Sequence, residues 1–274
     1  MSSQVEKAVL FRQLHRGPRA LILCNAWDVA SARIFEEAGL PAIATTSAGI
    51  AFSLGYPDGQ HISREEMVAR VARIVRAVKV PVTADIESGY GSTPEDAART
   101  AREVIQAGAV GINLEDATGD PNDPLLELQA AVEKVRAARQ AAAELRMPLV
   151  VNARTDVYLL PGDPHTQYSE ALRRLTAYRD AGADCVFAPG LKDPEIIGRM
   201  VNAVQCPLNI LAGPGTPPIA ELEKLGVARV SLGSGPMRAT LGLLRRMAQE
   251  LKVAGTYSAL NDAVPYAEVN KLLG

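Results

Sequence analysis

Short apolar, β-rich runs recur along the chain and alternate with longer segments of helical periodicity. The runs are LILCN (21–25), AIATTS (42–47), VPVTADIE (80–87), VGINLED (110–116), LVVNART (149–155), CVFAPG (185–190), LNILAG (208–213) and RVSLGS (229–234). Between them lie Ala- and Arg-rich stretches such as REEMVARVARIVRAV, whose apolar positions return at helical spacing. Two helix starts are marked. Ser63 with Glu66 forms a capping box, and Thr93 followed by Pro94 supplies an N-cap and a first-turn proline. Strands that alternate with helices run parallel and are joined by crossovers.

The approach to each run adds a second regularity. The second, fourth, sixth and eighth runs follow Gly39, Gly108, Gly182 and Gly226, while the third, fifth and seventh follow Pro81, Pro148 and Pro207. Glycine takes the left-handed conformation that ends a helix, and proline stops the preceding helix from continuing. A two-strand unit repeated around a ring predicts an α/β fold of the (β/α)8 TIM-barrel type over residues 1–253. The alternative is an open doubly wound sheet, but its usual GxGxxG after the first strand is absent. PMRATLGLLRRMAQELK reads as the helix after the eighth strand, and 254–274 as a helical tail interrupted at Pro265.

Composition narrows the class. With 274 residues, 47% of them hydrophobic, the chain can bury one large core. A net charge of −2 without a basic block argues against nucleic acid and against a membrane surface. Cys24, Cys185 and Cys206 form no CxxC pair, which fits reduced thiols and a cytoplasmic location. The segment MSSQVEKAVLFRQLHRG has no apolar stretch of signal-peptide length, and no apolar run reaches the length of a membrane span.

Polar side chains gather at the C-terminal ends of the runs, where barrels of this type place their chemistry. Asp85 and Glu87 lie two residues apart and so share a side of an extended strand, and Glu115 ends the neighbouring run. Three carboxylates in one mouth repel one another and raise their own pKa values. A hard divalent cation resolves this. Mg2+, with Mn2+ as a substitute, takes oxygen ligands and keeps several waters, so Asp85 would bind directly and Glu87 and Glu115 through water. The competing reading pairs these acids with Arg154 and loop N–H groups. Facing the cation, Arg154 would clamp a small dianionic acid, a 2-oxo or 2-hydroxy carboxylate; its competing role is a salt bridge to Glu115 or Asp156. His15, His61 and His165 read as exposed or capping residues, and Cys24 has no histidine evidently placed to activate it.

The segments TTSAGIAFSLGYPD (45–58), ADIESGYG (84–91), GINLED (111–116) and NART (152–155) together resemble the isocitrate lyase/phosphoenolpyruvate mutase superfamily, from about residue 20 to 250. The resemblance implies a Mg2+-dependent (β/α)8 barrel, usually a homotetramer in which a C-terminal helix is swapped between neighbours. It also implies chemistry at a C–C or C–P bond next to a 2-oxo acid, through a metal-bound enolate. By the same resemblance Asp85 is the direct metal ligand, and Glu87 and Glu115 are the outer acids. Thr46, Ser47 and Ala48 form the turn that holds the oxo-acid carboxylate and oxyanion. Asp58 is the active-site aspartate, Arg154 the substrate-binding arginine, and Asn209 the contact to the far carboxylate. Glu87 stands where the family usually has aspartate. LEDATGDPNDPLLE (114–127) replaces both the KKCGH-like loop of the lyases and the longer loop of the mutases, and Pro189 stands where the mutases have histidine.

Three functions follow from this reading. The first is Mg2+-dependent C–C cleavage of a small 2-oxo or 2-hydroxy di- or tricarboxylic acid, such as an oxaloacetate-, isocitrate- or methylisocitrate-like compound. The second is C–P mutase or hydrolase chemistry on phosphoenolpyruvate or phosphonopyruvate, for which AGPGT (212–216) and GSGP (233–236) would bind phosphate. The third is a non-catalytic 2-oxo-acid binding protein.

Overall fold

The computed structural model describes residues 3–274. Its strands are β1 (Leu21–Leu23), β2 (Asn25–Ala26), β3 (Ile43–Thr45), β4 (Val82–Asp85), β5 (Gly111–Glu115), β6 (Val150–Arg154), β7 (Cys185–Phe187), β8 (Leu208–Leu211) and β9 (Arg229–Ser231). The helices are α1 (Gln4–Leu14), α2 (Val29–Glu37), α3 (Ser47–Ser53), α4 (Arg64–Ala77), α5 (Pro94–Gln106), α6 (Leu128–Glu144), α7 (Pro164–Asp180), α8 (Pro194–Val204), α9 (Ile219–Lys224), α10 (Gly235–Ala254) and α11 (Tyr266–Leu273). All pairings between strands are parallel, in the order β1-β9-β8-β7-β6-β5-β4-β3-β2. Only Cys24 separates β1 from β2, so the two are halves of one barrel strand and the ring closes as a TIM-type barrel.

The split strand divides its pairing. β1 bonds to β9 and β2 to β3. Asn25 seals the seam: its Oδ1 accepts the N–H groups of Leu232 and Gly233, each at 2.9 Å, and its Nδ2 donates to Thr45 O. All eight runs of the sequence become barrel strands, and Gly39, Gly108, Gly182 and Gly226 all carry positive φ. Both marked helix starts are capped as read, Ser63 in a box with Glu66 and Thr93 ahead of Pro94, and Asp96 adds a second capping box at Thr93. The core lies between barrel and helices, where buried Ala, Val, Leu and Ile pack from α3 through β9.

Two features depart from the sequence reading. Residues 4–14 form a helix that no single apolar stripe announces: Ala8 and Phe11 are buried, while Val5, Val9 and Leu10 stay exposed. Phe11 packs among Leu21, Leu23, Val110 and Val150, and its ring leaves room only for glycine at position 111, where a Cβ would lie 2.7 Å away. His15 is the correction. Expected to be exposed or capping, it does cap the C-terminus of α1, but it is buried, with its ring edge-on to Phe11 at 4.8 Å. Its Nδ1 donates to Phe11 O at 2.8 Å, because a carbonyl can only accept, and this leaves the Nε2 lone pair facing Arg229 Nη1 at 3.5 Å. Burial, and then the charge of Arg229, push the imidazole pKa down to about 3. His61 and His165 are exposed, as read.

After β9, α10 ends at Gly255 in the left-handed conformation, and α11 begins just beyond Pro265. α11 lies against α2 of its own chain, where Arg33 Nε donates to Leu272 O at 2.9 Å. No helix among the described residues is long and apolar enough to cross a membrane.

Candidate active site

The C-terminal ends of the strands enclose a cavity of about 210 Å³, with room for a small acid rather than a nucleotide. Thr46, Ser47, Ala48, Asp58, Asp85, Arg154 and Asn209 all line it, so seven of the residues singled out from sequence meet in one space. Glu87 and Glu115 stand behind that surface.

The 42–47 run is shorter as a strand than its composition suggests. β3 stops at Thr45, and Thr46 caps α3 by accepting the N–H of Gly49 on Oγ1 at 3.2 Å. Ser47 therefore starts a helix, and its N–H and hydroxyl both donate to Asp85 Oδ2, at 2.9 and 2.8 Å. Asp85 Oδ1 accepts Asn113 Nδ2 at 2.8 Å, and Asn113 Oδ1 accepts Asn152 Nδ2 at 2.9 Å. A chain of side chains thus ties β6, β5 and β4 to α3, with Asp85 at its end in the cavity.

β4 also ends earlier than the alternation rule assumed. Beyond Asp85 the backbone leaves the strand, and Glu87 sits at φ +49°. Its carboxylate therefore does not share the Asp85 face as an extended strand would place it. Instead Glu87 Oε1 accepts Tyr90 Oη at 3.0 Å. The loop is held from outside: the buried Lys134 Nζ donates to Ser88 O at 2.8 Å and Gly91 O at 2.7 Å, and Thr100 Oγ1 donates to Gly89 O. Gly89 has φ +99° with Ala97 within 2.9 Å of where its Cβ would be, so no larger residue fits there.

Arg154 is engaged. Nη2 donates to Asp156 Oδ2 at 2.8 Å, Nη1 stands 2.6 Å from Glu115 Oε2, and the guanidinium lies 5.9 Å from the Phe187 ring centroid. The Glu115 contact is close but off the hydrogen-bond axis, since Oε2 has no partner by direction. The competing sequence reading of Arg154, a salt bridge to Glu115 or Asp156, is therefore what this state contains.

The electrostatics are lopsided. Burial first, and then the charges of Asp85 and Asp58, push Glu87 up to about 7. Asp58 is open to solvent on one side, yet partial desolvation and Asp85 raise its carboxyl as well. Glu115 is raised well above its usual value by burial, with Arg154 opposing and Asp156, Asp85 and Glu87 adding to the rise. For Arg154, burial works against the charge, but Glu115 and Asp156 outweigh it and hold the guanidinium protonated.

No three His, Cys, Asp or Glu among the described residues are close enough for a shared, all-protein metal cage. Mg2+ does not need one, since it binds through one or two carboxylates and keeps its waters. Asp58, Asp85, Glu87, Glu115 and Asp156 outnumber the two guanidinium groups at the cavity, Arg154 and Arg229, and a hydrated divalent cation offsets the excess of carboxyl groups. The donor set fits.

Sequence reasoning missed Asn113, Lys134 and Arg229. Asn113 carried a signal, because it lies two residues before Glu115 in one strand. So did Arg229, a charge at the start of a buried strand, two residues before Ser231. Lys134 carried none: it looks like any helix lysine until α6 is placed beside the 88–91 loop.

Comparison with known proteins adds an independent line. Residues 11–252 match the family described as phosphoenolpyruvate phosphomutase. An uncharacterized protein of Mycobacterium tuberculosis, Rv1998c, is 36% identical over 96% of this chain and 95% of its own length. The 2-methylisocitrate lyase of Bacillus subtilis is 32% identical over 93% of this chain and 85% of its own. The structure of 2,3-dimethylmalate lyase, a PEP mutase/isocitrate lyase superfamily member, superposes with a TM-score of 0.85 at 27% identity, covering 98% of this chain and 94% of that one.

Proposed function

The chain belongs to the isocitrate lyase/phosphoenolpyruvate mutase superfamily, and on that premise we propose that it is a Mg2+-dependent lyase. It cleaves a C–C bond of a small 2-oxo or 2-hydroxy di- or tricarboxylic acid. The observation that carries this reading is the convergence of Ser47, Asp85 and Arg154 on one small cavity with more carboxylates than cations.

Asp85 would hold Mg2+ directly, with Glu87 and Glu115 reaching it through water. When bound, the ion supplies Lewis-acid polarisation of the 2-oxo group. Thr46, Ser47 and Ala48, at the start of α3, receive the substrate carboxylate and the oxygen on which negative charge develops. Arg154, fixed between Asp156 and Glu115, orients the acid, and Asn209 faces its far end. Asp58, with its raised carboxyl at the rim, exchanges protons with substrate or solvent. No Cys, Lys or His stands in the loop after β5, so the departing fragment leaves an enolate that solvent protonates. An oxaloacetate-like acid suits this minimal machinery best.

C–P chemistry has less behind it. In the 212–216 turn the Thr216 N–H donates to Gly213 O and its hydroxyl to Leu211 O, so Thr216 spends both its donors on the turn's own geometry. Residues 1–253 are read as the catalytic barrel and 254–274 as a tail that serves a cytoplasmic homotetramer. The apolar side chains Leu241, Leu244 and Leu251, exposed on α10, favour such an assembly.

The deciding experiment follows oxaloacetate, isocitrate, 2-methylisocitrate and phosphonopyruvate by proton and phosphorus NMR, with Mg2+ and with EDTA. Metal-dependent pyruvate or glyoxylate is expected. Release of phosphate or phosphoenolpyruvate would move the assignment to C–P chemistry, and shifted ligand lines without product would make it a binding protein.

A further inference from the structure

Two guanidinium groups line the cavity, and they differ in one respect. Arg154 is matched by Glu115 and Asp156, whereas Arg229 has no carboxylate partner among the described residues. Arg229 is 2% exposed, stands at the first residue of β9 and borders the cavity at its floor. Its Nη1 faces only the neutral Nε2 of His15, and its Nε has no partner. A buried, unanswered cation costs several kcal/mol, and buried charges are ordinarily paired. Asp85 acts on it across the barrel, but the two Asp85 oxygens already accept three donors from Ser47 and Asn113.

The neighbours of Arg229 complete a recognition surface. Asn209 stands in register with it on β8, and Asn209 and Ser231 bond to each other through their side chains, Nδ2 to Oγ at 3.2 Å. All three line the cavity on the β8–β9 wall, opposite the strands that carry Asp85 and Asn113. Arg154 brings no net positive charge to a ligand, since two acids accompany it. Arg229 does.

We infer that Arg229, with Asn209 and Ser231, receives the second carboxylate of a diacid substrate, and that Arg229 is the residue that sets the preference for diacids over monoacids. This rests on the lyase reading above and extends it to specificity. The 2-oxo-acid end stays with Asp85 and the start of α3, while the far carboxylate supplies the counter-charge that the protein withholds from Arg229.

Calorimetric titration of the Mg2+-loaded protein with 3,3-difluoropyruvate and with 3,3-difluorooxaloacetate tests it, since the two share the difluorinated oxo-acid end and only the second has a far carboxylate. The wild type is expected to bind the diacid at least about tenfold more tightly, some 1.4 kcal/mol. Arg229→Met is expected to abolish that ratio, with melting temperature as the check on folding. Asn209→Asp is a second route that leaves Arg229 in place: its new carboxylate occupies Arg229, and the ratio collapses again. A ratio that survives in either folded variant, or a loss of equal size for both acids, overturns the inference. Equal wild-type affinity for both acids also overturns it while leaving the lyase reading intact. A wild type that binds neither overturns both.

Discussion

Asp116 Oδ1 accepts the backbone N–H of Asp156 at 2.9 Å, so a carboxylate buried at the end of β5 fixes the residue that clamps Arg154. The other oxygen, Oδ2, accepts Tyr178 Oη at 2.7 Å and Arg174 Nη1 at 3.1 Å. Arg174 Nη1 also donates to Leu126 O, and Leu126 N–H returns to Asp116 O, which ties down both ends of the 116–126 hairpin. One anchor on α7 thus holds the hairpin and the arginine clamp together.

Tyr178→Phe removes the shortest support of a buried carboxylate. The expected cost is about 1–3 kcal/mol of stability. The expected functional signature is a several-fold rise in KM with a smaller change in kcat, because the clamp loosens while Asp85 is untouched. Thermal melts and steady-state kinetics read the two effects separately; an unchanged KM would leave the anchor a purely structural role.

Mg2+ is expected to raise the melting temperature of the wild type, since a ligand that binds only the folded state stabilises by RT ln(1 + [L]/Kd), or about 2.7 kcal/mol at a hundredfold excess over Kd. Asp85→Asn keeps an acceptor for Ser47 and loses the charge. The shift should then vanish. A melting shift of wild-type size in Asp85→Asn would move the cation away from Asp85.

His15 makes stability sensitive to acid. Its folded pKa, about 3, lies below the ordinary value of 6.5, so between these pH values the unfolded chain binds the proton and the folded chain does not. Its stabilisation is complete above about pH 6.5 and is lost as the pH falls toward 3. His15→Gln keeps a side chain that can both donate and accept hydrogen bonds but cannot titrate. Acid unfolding followed by circular dichroism should have a lower midpoint in the variant than in the wild type.

The exposed leucines of α10 give a prediction about assembly. Leu244→Glu places a charge on that face and should lower the solution mass, read by light scattering, from tetramer toward smaller species. The same mass in wild type and variant would remove α10 from the interface.

The barrel was legible because its punctuation is local. Gly39, Gly108, Gly182 and Gly226 end helices wherever they occur, and the apolar runs between them have few alternatives. The cavity was legible for a related reason: in parallel barrels the strand ends carry the chemistry, and Ser47, Asp85 and Arg154 all lie there. Glu87 was misplaced because alternation holds only while the chain is extended, and β4 stops two residues earlier. His15 and Lys134 are polar residues on helices, and nothing local distinguishes a solvated one from one that tertiary packing buries. The engagement of Arg154 by two acids was foreseen only as an alternative, since pairing depends on side-chain directions that residue order does not encode.

The hairpin anchored by Asp116 contributes no residue to the cavity lining, and its two arms pair through a single bridge between Ala117 and Leu125. A hairpin that adds no group to the site has a stereochemical consequence. On the lyase reading proposed above, with solvent rather than a hairpin acid protonating the enolate, the new C–H bond is expected to form without facial preference. If the substrate carries deuterium and tritium at the reacting carbon in one configuration, cleavage in ordinary water should give a methyl group of mixed handedness, whereas a closed site with a single internal acid would give one hand.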